Sequence, residues 1–375
     1  MRIAIDARFF GPFGKGLGRY TEKLIKYLEK VDQKNDYTIF LRKENFDYYI
    51  VENKNFKKEL ADFKWYTLNE QRNMPKVLKK GNFDLVHFPH FNVPLFYKGD
   101  FVVTIHDLIL LDFPTKRTTT LGPIKYALKN MAYKKVISSA VKKAKKVITV
   151  SEYTKKRLIE HFDLDDDKIV VTYEACEKIH PEKEVINKDF LRMHKIEKNY
   201  LLYVGNAYPH KNLERLLKVF KNLRKDNFDY QLVLVGKNDY FYQRLQDLAK
   251  ELGLLDSNQV VFYGFAKDSD LATLYQNASL YVFPSFIEGF GLPPLEAMSY
   301  GLPVVTSKTS CLPEILGDAA QYFDPKIEKD IADVILNVIN DNILKEEMKS
   351  KGLEQVKKYS WERCAKETLD VYESL

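Results

Sequence analysis

Short apolar runs alternate with longer stretches of helical spacing, and the alternation occurs in two successive series. Arg2–Ala7 predicts a strand, followed by a glycine-rich loop carrying Gly11, Gly14, Gly16 and Gly18. Leu24, Ile25 and Leu28 fall on one face of a helix predicted from about Arg19 to Lys30. Tyr37–Leu41 and Trp65–Leu68 predict weaker strands. Asp84–Phe88 and Phe101–Ile105 are compact apolar runs bounded by Gly and Pro, as strands covered on both faces of a parallel sheet would be. After a basic helical region come a strand at Lys146–Val150, a helix whose N-cap is Ser151, and a strand at Ile169–Tyr173.

From Glu174 to Lys198 the pattern lapses into charged, poorly periodic sequence with Pro181, which reads as a linker. Strands are then predicted at Tyr200–Val204, Tyr230–Val235, Val260–Tyr263, Leu280–Phe283 and Pro303–Thr306. Helices fall between them at about Leu213–Arg224, Gln243–Leu252, Ser269–Asn277 and Pro293–Tyr300. Two such series predict an α/β chain of two doubly wound, Rossmann-like domains, residues 1–180 and 181–358, with ligands bound at the carboxyl ends of the strands in a cleft.

Composition narrows the class. The 375 residues are 45% hydrophobic and 30% charged, enough for two cores, and no stretch approaches the ~18 uninterrupted apolar residues of a membrane span. The opening Met1–Asp6 is a strand and not a signal peptide. Cys176, Cys311 and Cys364 are scattered and odd in number, which suits free thiols in a cytoplasmic protein. The net charge of +7 is concentrated between Lys116 and Arg157, where Glu152 is the only acid. That run has two readings, a surface for anionic lipid and a solvated helix face. A nucleic-acid surface is not expected, because the run lacks interleaved aromatics and any recognisable module.

The chemistry gathers in Pro284–Gly301. A strand enters, a loop with Glu288, Gly289, Phe290, Gly291 and Leu292 follows, and a helix opening with Pro293 and Pro294 leaves, with Glu296 in its first turn. A glycine loop before a helix N-terminus makes an anion site. Carboxylates beside it accept hydrogen bonds from hydroxyls, so a sugar nucleotide fits. Ordinary dipole stabilisation by Glu296 and a plain turn at Gly289–Gly291 would also fit. A strand also meets a turn at Gly205, Asn206, His210 and Lys211, where an ammonium could neutralise phosphate, and the strand-to-glycine design recurs at Gly236-Lys237 and Gly264-Phe265. The glycines at 14, 16 and 18 fall at every second position and match neither a dinucleotide fingerprint nor a phosphate loop. His106, beside Asp107, closes an apolar strand and reads either as a hydroxyl partner or as a structural histidine. His87 and His90 lack a completing ligand, so no metal is expected.

Taken in order, Gly16-Leu17-Gly18-Arg19-Tyr20, Val103–Leu108, Val150–Thr154, Tyr203-Val204-Gly205 with Lys211-Asn212, and Glu288 with seven residues before Glu296 resemble the retaining glycosyltransferases of family 4, with the GT-B fold. The resemblance covers nearly the whole chain. It implies an N-terminal acceptor domain and a C-terminal nucleotide-sugar donor domain, with residues 359–375 crossing back to the first. Glu288 would bind hydroxyls of the transferred hexose, and the backbone of Phe290, Gly291 and Leu292 would face sugar and diphosphate. Glu296 would hold the ribose, Lys211 the leaving diphosphate, and His106 the sugar, with Gly16 on the phosphate side. Family members often carry an arginine where Asn206 or His210 stands here, so more of the neutralisation falls on Lys211, with His210 assisting and Lys237 a substitute.

The activity implied is transfer of a hexose, from GDP-mannose or a UDP-hexose, to a hydroxyl of a glycan or lipid-linked acceptor, without a metal cofactor. A peripheral position at the inner membrane face would suit a lipid-linked acceptor. The competing readings are a sugar-nucleotide epimerase of similar build and a basic nucleic-acid-binding protein.

Overall fold

The computed structural model describes residues 1–115, 122–177, 188–225, 228–255 and 258–375, and these divide into two compact units. The first is Met1–Glu174 with Ser360–Leu375; the second is Ala175–Tyr359.

The first unit runs β1 (Arg2–Asp6), α1 (Lys15–Val31), β2 (Asp36–Leu41), β3 (Phe56–Leu60), α2 (Leu68–Gly81), β4 (Leu85–Phe88) and β5 (Phe101–Ile105). It continues with α3 (Ile109–Asp112), α4 (Pro123–Lys143), β6 (Lys146–Thr149), α5 (Glu152–Phe162) and β7 (Ile169–Val171). Its sheet has the order β3-β2-β1-β4-β5-β6-β7, parallel throughout. Helices cover both faces of such a sheet, which is why the central strands read as continuous apolar runs: Ile3, Ala4, Ile5, Val102 and Val103 are fully buried. Each large aliphatic chain so buried stabilises the core by about 1.5–3 kcal/mol.

The second unit runs α6 (Lys188–Met193), β8 (Tyr200–Val204), α7 (Leu213–Lys225), β9 (Gln231–Val235), α8 (Tyr240–Glu251), β10 (Val260–Gly264) and α9 (Asp268–Asn277). Then come β11 (Leu280–Phe283), α10 (Leu292–Ser299), β12 (Val304–Ser307), α11 (Leu312–Leu316), β13 (Ala320–Phe323), α12 (Glu328–Asn340) and α13 (Asn342–Val356). Its parallel sheet has the order β10-β9-β8-β11-β12-β13. The last helix, α14 (Trp361–Glu373), belongs to the first unit and packs on α1. Ser360 caps it by accepting from Arg363 N at 3.4 Å, and Trp361, Cys364, Ala365, Thr368 and Tyr372 form its buried stripe.

Several expectations are corrected. The loop expected through Gly18 ends earlier: α1 begins at Lys15, so Gly16 and Gly18 are helical. Gly18 is required by packing, since a Cβ there would lie 2.0 Å from Gly11 O and 2.4 Å from Phe9 O. Trp65–Leu68 is no strand; Trp65 and Tyr66 form a turn and Leu68 opens α2. The outer strand is instead Phe56–Leu60, where Lys57, Lys58 and Glu59 mask the apolar signal in the way of an edge strand. Part of the expected linker is the short helix α6, while 178–187, with Pro181, lie outside the described residues. So do Lys116 and Arg117 of the basic run.

Candidate functional site

In the second unit the chain enters the sheet at its centre, with β8, and leaves toward β9 on one side and β11 on the other. Ligands bind at such a switch point, beyond the carboxyl ends of the two strands. Beyond β8 lie Gly205, Asn206 and a tight turn at Pro209–Lys211; beyond β11 lies Pro284–Gly291. The two segments are stitched together. Phe286 N donates to His210 O at 2.8 Å, and Asn212, in the left-handed region at φ 60, donates to Pro284 O at 3.1 Å and Pro325 O at 2.8 Å.

This stitching brings Lys211 Nζ to 2.6 Å from Glu288 Oε1, with both side chains nearly buried at 12% and 10% exposure. Lys211 also lies over the Phe283 ring, 5.3 Å from its centroid. The backbone of Glu288 is held on both sides: its N–H donates to Ser310 Oγ at 3.1 Å, and its carbonyl accepts from Cys311 Sγ at 3.3 Å. Burial and then the nearby Glu288 push the Cys311 thiol well up, so it stays a neutral donor.

α10 begins at Leu292, with Gly291 as a left-handed N-cap at φ 97 that makes no side-chain capping bond. Pro293 and Pro294 carry no N–H, so within its first three residues only Leu292 offers a donor. Phe290 is 5% exposed, packed edge-on to Tyr359, and presents backbone rather than ring. Glu296 falls one residue past the first turn, which removes dipole stabilisation as the reason for an acid there. It accepts from Tyr275 OH at 3.3 Å. Tyr281 feels both carboxylates: burial raises its phenol, a Val204 backbone bond opposes, and Glu296 and Glu288 raise it further.

Gly205 follows β8, Gly236 follows β9 and Gly264 ends β10. Gly205 N donates to Val235 O and Gly236 N to Gly264 O, both at 2.9 Å. At Gly236 close backbone packing requires glycine, since a Cβ would lie 2.1 Å from Gly205 O, whereas Gly264 has open space and a left-handed φ of 87. Asn206 uses its carbonyl for Tyr203 OH and its Oδ1 for Tyr208 N. Lys237 and Phe265 stand exposed at the rim, Phe265 at 78%. Burial, and then Lys211, push His210 down to about 4, and its Nδ1 has no partner. Held neutral in this way, His210 can assist Lys211 through a hydrogen bond.

In the first unit, His106 Nδ1 meets Glu174 Oε1 at 2.9 Å and Nε2 meets Pro89 O at 3.0 Å. Both nitrogens are thus engaged by protein groups. Gly16 lies exposed in the first turn of α1. His87 is enclosed between Tyr372 OH (2.6 Å) and Thr104 Oγ1 (2.8 Å), and burial, then His106, push it down to about 3. Among the described residues no group of three or more His, Cys, Asp or Glu could hold a metal.

Sequence reasoning missed Ser310, Cys311, Tyr275 and Tyr281, each joined to the site by a contact between segments distant in the chain. It also missed Arg8, fully buried at the end of β1, which binds Asp6 through two bonds of 2.6 Å and Glu70 through another of 2.6 Å.

Residues 188–355 match the model for Glycosyl transferases group 1, and residues 14–176 match that for Glycosyltransferase Family 4. The chain is 30% identical over 381 residues to the O-antigen chain mannosyltransferase B of Escherichia coli, covering 96% of both. It superposes on the sucrose-phosphate synthase of Thermosynechococcus elongatus with a TM-score of 0.78 at 19% identity, covering 100% of this chain and 98% of the other. With Anabaena Alr3699/HepE in complex with UDP-glucose the TM-score is 0.76 at 17% identity, and both chains are covered fully, at 100%.

Proposed function

We propose, proceeding from the fact that this chain belongs to glycosyltransferase family 4, that it moves a hexose from a nucleoside diphosphate sugar to a hydroxyl of a glycan acceptor. The second unit takes the donor and the first the acceptor. The named relative is a mannosyltransferase of O-antigen chains, which favours GDP-mannose; a UDP-hexose is the other candidate, as in the UDP-glucose complex of the neighbouring fold. The relatives do not favour the epimerase reading.

The observation that carries the proposal is the Lys211–Glu288 pair beside the start of α10. A departing diphosphate needs fixed positive charge in a site sheltered from water, where such charge acts most strongly. Lys211 supplies the charge, with the Leu292 N–H and the positive end of α10 adding to it. Glu288 accepts hydroxyls of the hexose, and Glu296 those of the ribose. With both carboxylates assigned to donor hydroxyls, this route uses no carboxylate nucleophile of the double-displacement kind. The acceptor oxygen attacks from the face the diphosphate leaves, and the leaving phosphate oxygen takes its proton. Bonds to the donor are broken and made at one carbon, with retention. Since Lys211 and the helix supply the positive charge, no metal is required by this route.

The test is a panel of nucleotide sugars scored by thermal shift and by hydrolysis, repeated in excess chelator. Stabilisation by one sugar nucleotide with full turnover in chelator supports the proposal. No response to any nucleotide sugar, or activity that returns only with magnesium, overturns the donor or the metal-free part respectively.

The membrane reading rests on α4. Its exposed positions include Lys129, Lys134, Lys135, Lys142 and Lys143, together with Leu128 at 56% and Met131 at 63% exposure. Folding also brings acids to the basic run that the sequence order hides: Asp112 pairs with Arg157, Asp166 with Lys155 and Asp100 with Lys145. Among the described residues of the run, most of the exposed lysines therefore lie on α4. A cationic helix with exposed apolar side chains suits the inner leaflet where a lipid-linked glycan lies. No helix among the described residues is long and apolar enough to cross a membrane.

A further inference from the structure

Beyond the carboxyl ends of the first sheet, the segments after β1, β2, β3 and β4 bring together Phe9, Arg42, Trp65, Tyr66, His90 and Phe91. Trp65 packs against Phe9 at 4.4 Å between centroids, with the Arg42 guanidinium 4.7 Å over its ring. Tyr66 is backed by His90 at 6.2 Å and Phe91 at 6.1 Å, and is still 58% exposed. The Tyr66 ring is thus supported from behind and left open, while Trp65 beside it is partly exposed, packed between Phe9 and Arg42.

The turn that presents them is held in a conformation it would not choose. Tyr66 sits at φ 63, the left-handed region that a bulky side chain seldom adopts. Its N–H donates to Glu70 Oε2 at 2.7 Å. The other oxygen of Glu70 accepts from Arg8 Nη2 at 2.6 Å and Asn92 Nδ2 at 2.7 Å, and Arg8 also donates to Phe63 O at 3.1 Å. A buried network of Asp6, Arg8, Glu70 and Asn92 thereby clamps the turn at both ends. Such clamped strain is a mark of sites that present a group to a ligand.

The polar groups here are those that suit hydroxyls. His90 is neutral, since burial and then His106 push it down to about 3, and its buried Nδ1 has no partner. Burial, then Glu70 and then Asp107 push the Tyr66 phenol up, so it stays a neutral donor. Arg42, the cation of the cluster, is already paired with Glu44 and Asp62.

We infer that Tyr66, with the partly exposed Trp65 beside it, forms an aromatic platform that stacks on a pyranose ring of the acceptor glycan and sets which hydroxyl is presented. The inference rests on the reading of the chain as a hexosyltransferase. A pyranose has an apolar C–H face for the rings and a rim of hydroxyls for His90 and Asp107.

The chain carries its own reporter. Of its two tryptophans, Trp361 is buried at 4% exposure, so a solute that stacks on Tyr66 beside Trp65 alters Trp65 emission alone. Methyl α-mannopyranoside and methyl α-glucopyranoside titrated into the full chain are expected to change its fluorescence saturably, and Trp65→Phe should abolish most of the change. In transfer assays Trp65→Ala and Tyr66→Ala should raise the ratio of acceptor KM to donor KM by about 2- to 10-fold, the loss of one stacking contact. Tyr66→Gly separates this role from a structural one. Glycine relieves the left-handed strain, so the thermal midpoint should rise while acceptor KM still rises. A fluorescence response to octanol and none to either pyranoside overturns the platform and assigns it to an apolar chain. Variants with the parent's acceptor KM overturn it while leaving the transferase reading intact. A parent that responds to pyranosides but turns over no nucleotide sugar keeps the platform and removes that reading.

Discussion

His106 and Glu174 are joined at 2.9 Å between Nδ1 and Oε1, while Nε2 of the same ring reaches Pro89 O at 3.0 Å. An imidazolium donates to both acceptors at once; a neutral ring satisfies only one. Burial alone would lower His106, but the hydrogen bond to Glu174 and its charge outweigh burial and hold the group above its ordinary value. The contribution to stability is therefore complete below the unfolded value of about 6.5 and is lost as pH rises through the folded value. His87 and His90 act in the opposite sense, their stability being lost as pH falls, but burial, the larger cause of their shifts, is common to parent and variant. Urea midpoints of the parent and of His106→Gln, compared from pH ~5 to ~9, should differ most at the acid end and converge at the alkaline end. A difference that is flat or grows with pH removes the charged pair.

The central strands were legible because burial on both faces leaves nothing but apolar residues, as in Leu201–Tyr203 and Leu280–Phe283. Phe56–Leu60 was not, because an edge strand covers one side only and carries its charges in plain view. Trp65 and Tyr66 read as strand by composition, and only the tertiary clamp of Arg8 and Glu70 forces them into a turn. The positions of Lys211 and Glu288 were legible from the residues around each. Their pairing was not, since it depends on the Asn212 and Phe286 bonds that join segments some seventy positions apart. The neutral state of His210 was not legible for the same reason: it comes from burial, and then Lys211, that no local pattern reveals.

Tyr372, near the end of α14, supplies the partner of His87 Nδ1 at 2.6 Å inside the core of the first unit. Tyr372→Phe keeps the ring and leaves a buried nitrogen unpaired, which costs about 1–3 kcal/mol. Urea unfolding followed through Trp361, on the same helix, should register that loss. Unchanged unfolding would show that the hydrogen bond contributes nothing.

Gly236 and Gly264 make a contrast within one row of turns. A Cβ on Gly236 would meet Gly205 O at 2.1 Å and Tyr242 OH at 2.4 Å, whereas Gly264 has open space but φ 87. Gly236→Ala should destabilise by about 1–3 kcal/mol through overpacking and displace Gly205 from the donor side. Gly264→Ala should cost about 1–2 kcal/mol of backbone strain and leave nucleotide binding in place. Thermal midpoints with and without nucleotide sugar separate the two, and the reverse ranking of their nucleotide responses would remove Gly205 from the donor site.

If α4 meets an anionic leaflet, binding should fall with salt and depend on both kinds of exposed side chain. Flotation with vesicles containing phosphatidylglycerol should carry the chain upward, and neutral vesicles should not. Lys134→Glu with Lys135→Glu should abolish flotation, and Leu128→Ser with Met131→Ser should weaken it, with turnover on a water-soluble acceptor as the control for folding. Equal flotation of parent and charge variant would return α4 to a merely solvated face.

Lys211 and Glu288 are each other's counter-ion in a nearly buried site, so single substitutions have two consequences that a double substitution separates. Lys211→Ala leaves Glu288 with an uncompensated charge, and breaking such a pair from one side costs about 3–5 kcal/mol. Replacing both, Lys211→Met with Glu288→Gln, removes the pair without stranding a charge and should recover most of that stability. Transfer should not recover with it, because the diphosphate then leaves without its positive charge; turnover should stay at least about a hundredfold below the parent. Calorimetry beside steady-state turnover at saturating donor gives both quantities for the parent, the two single variants and the double. A double variant that regains stability and turnover together would make the pair a structural tie alone. One that regains stability and remains inactive assigns the charge of Lys211 to the chemical step.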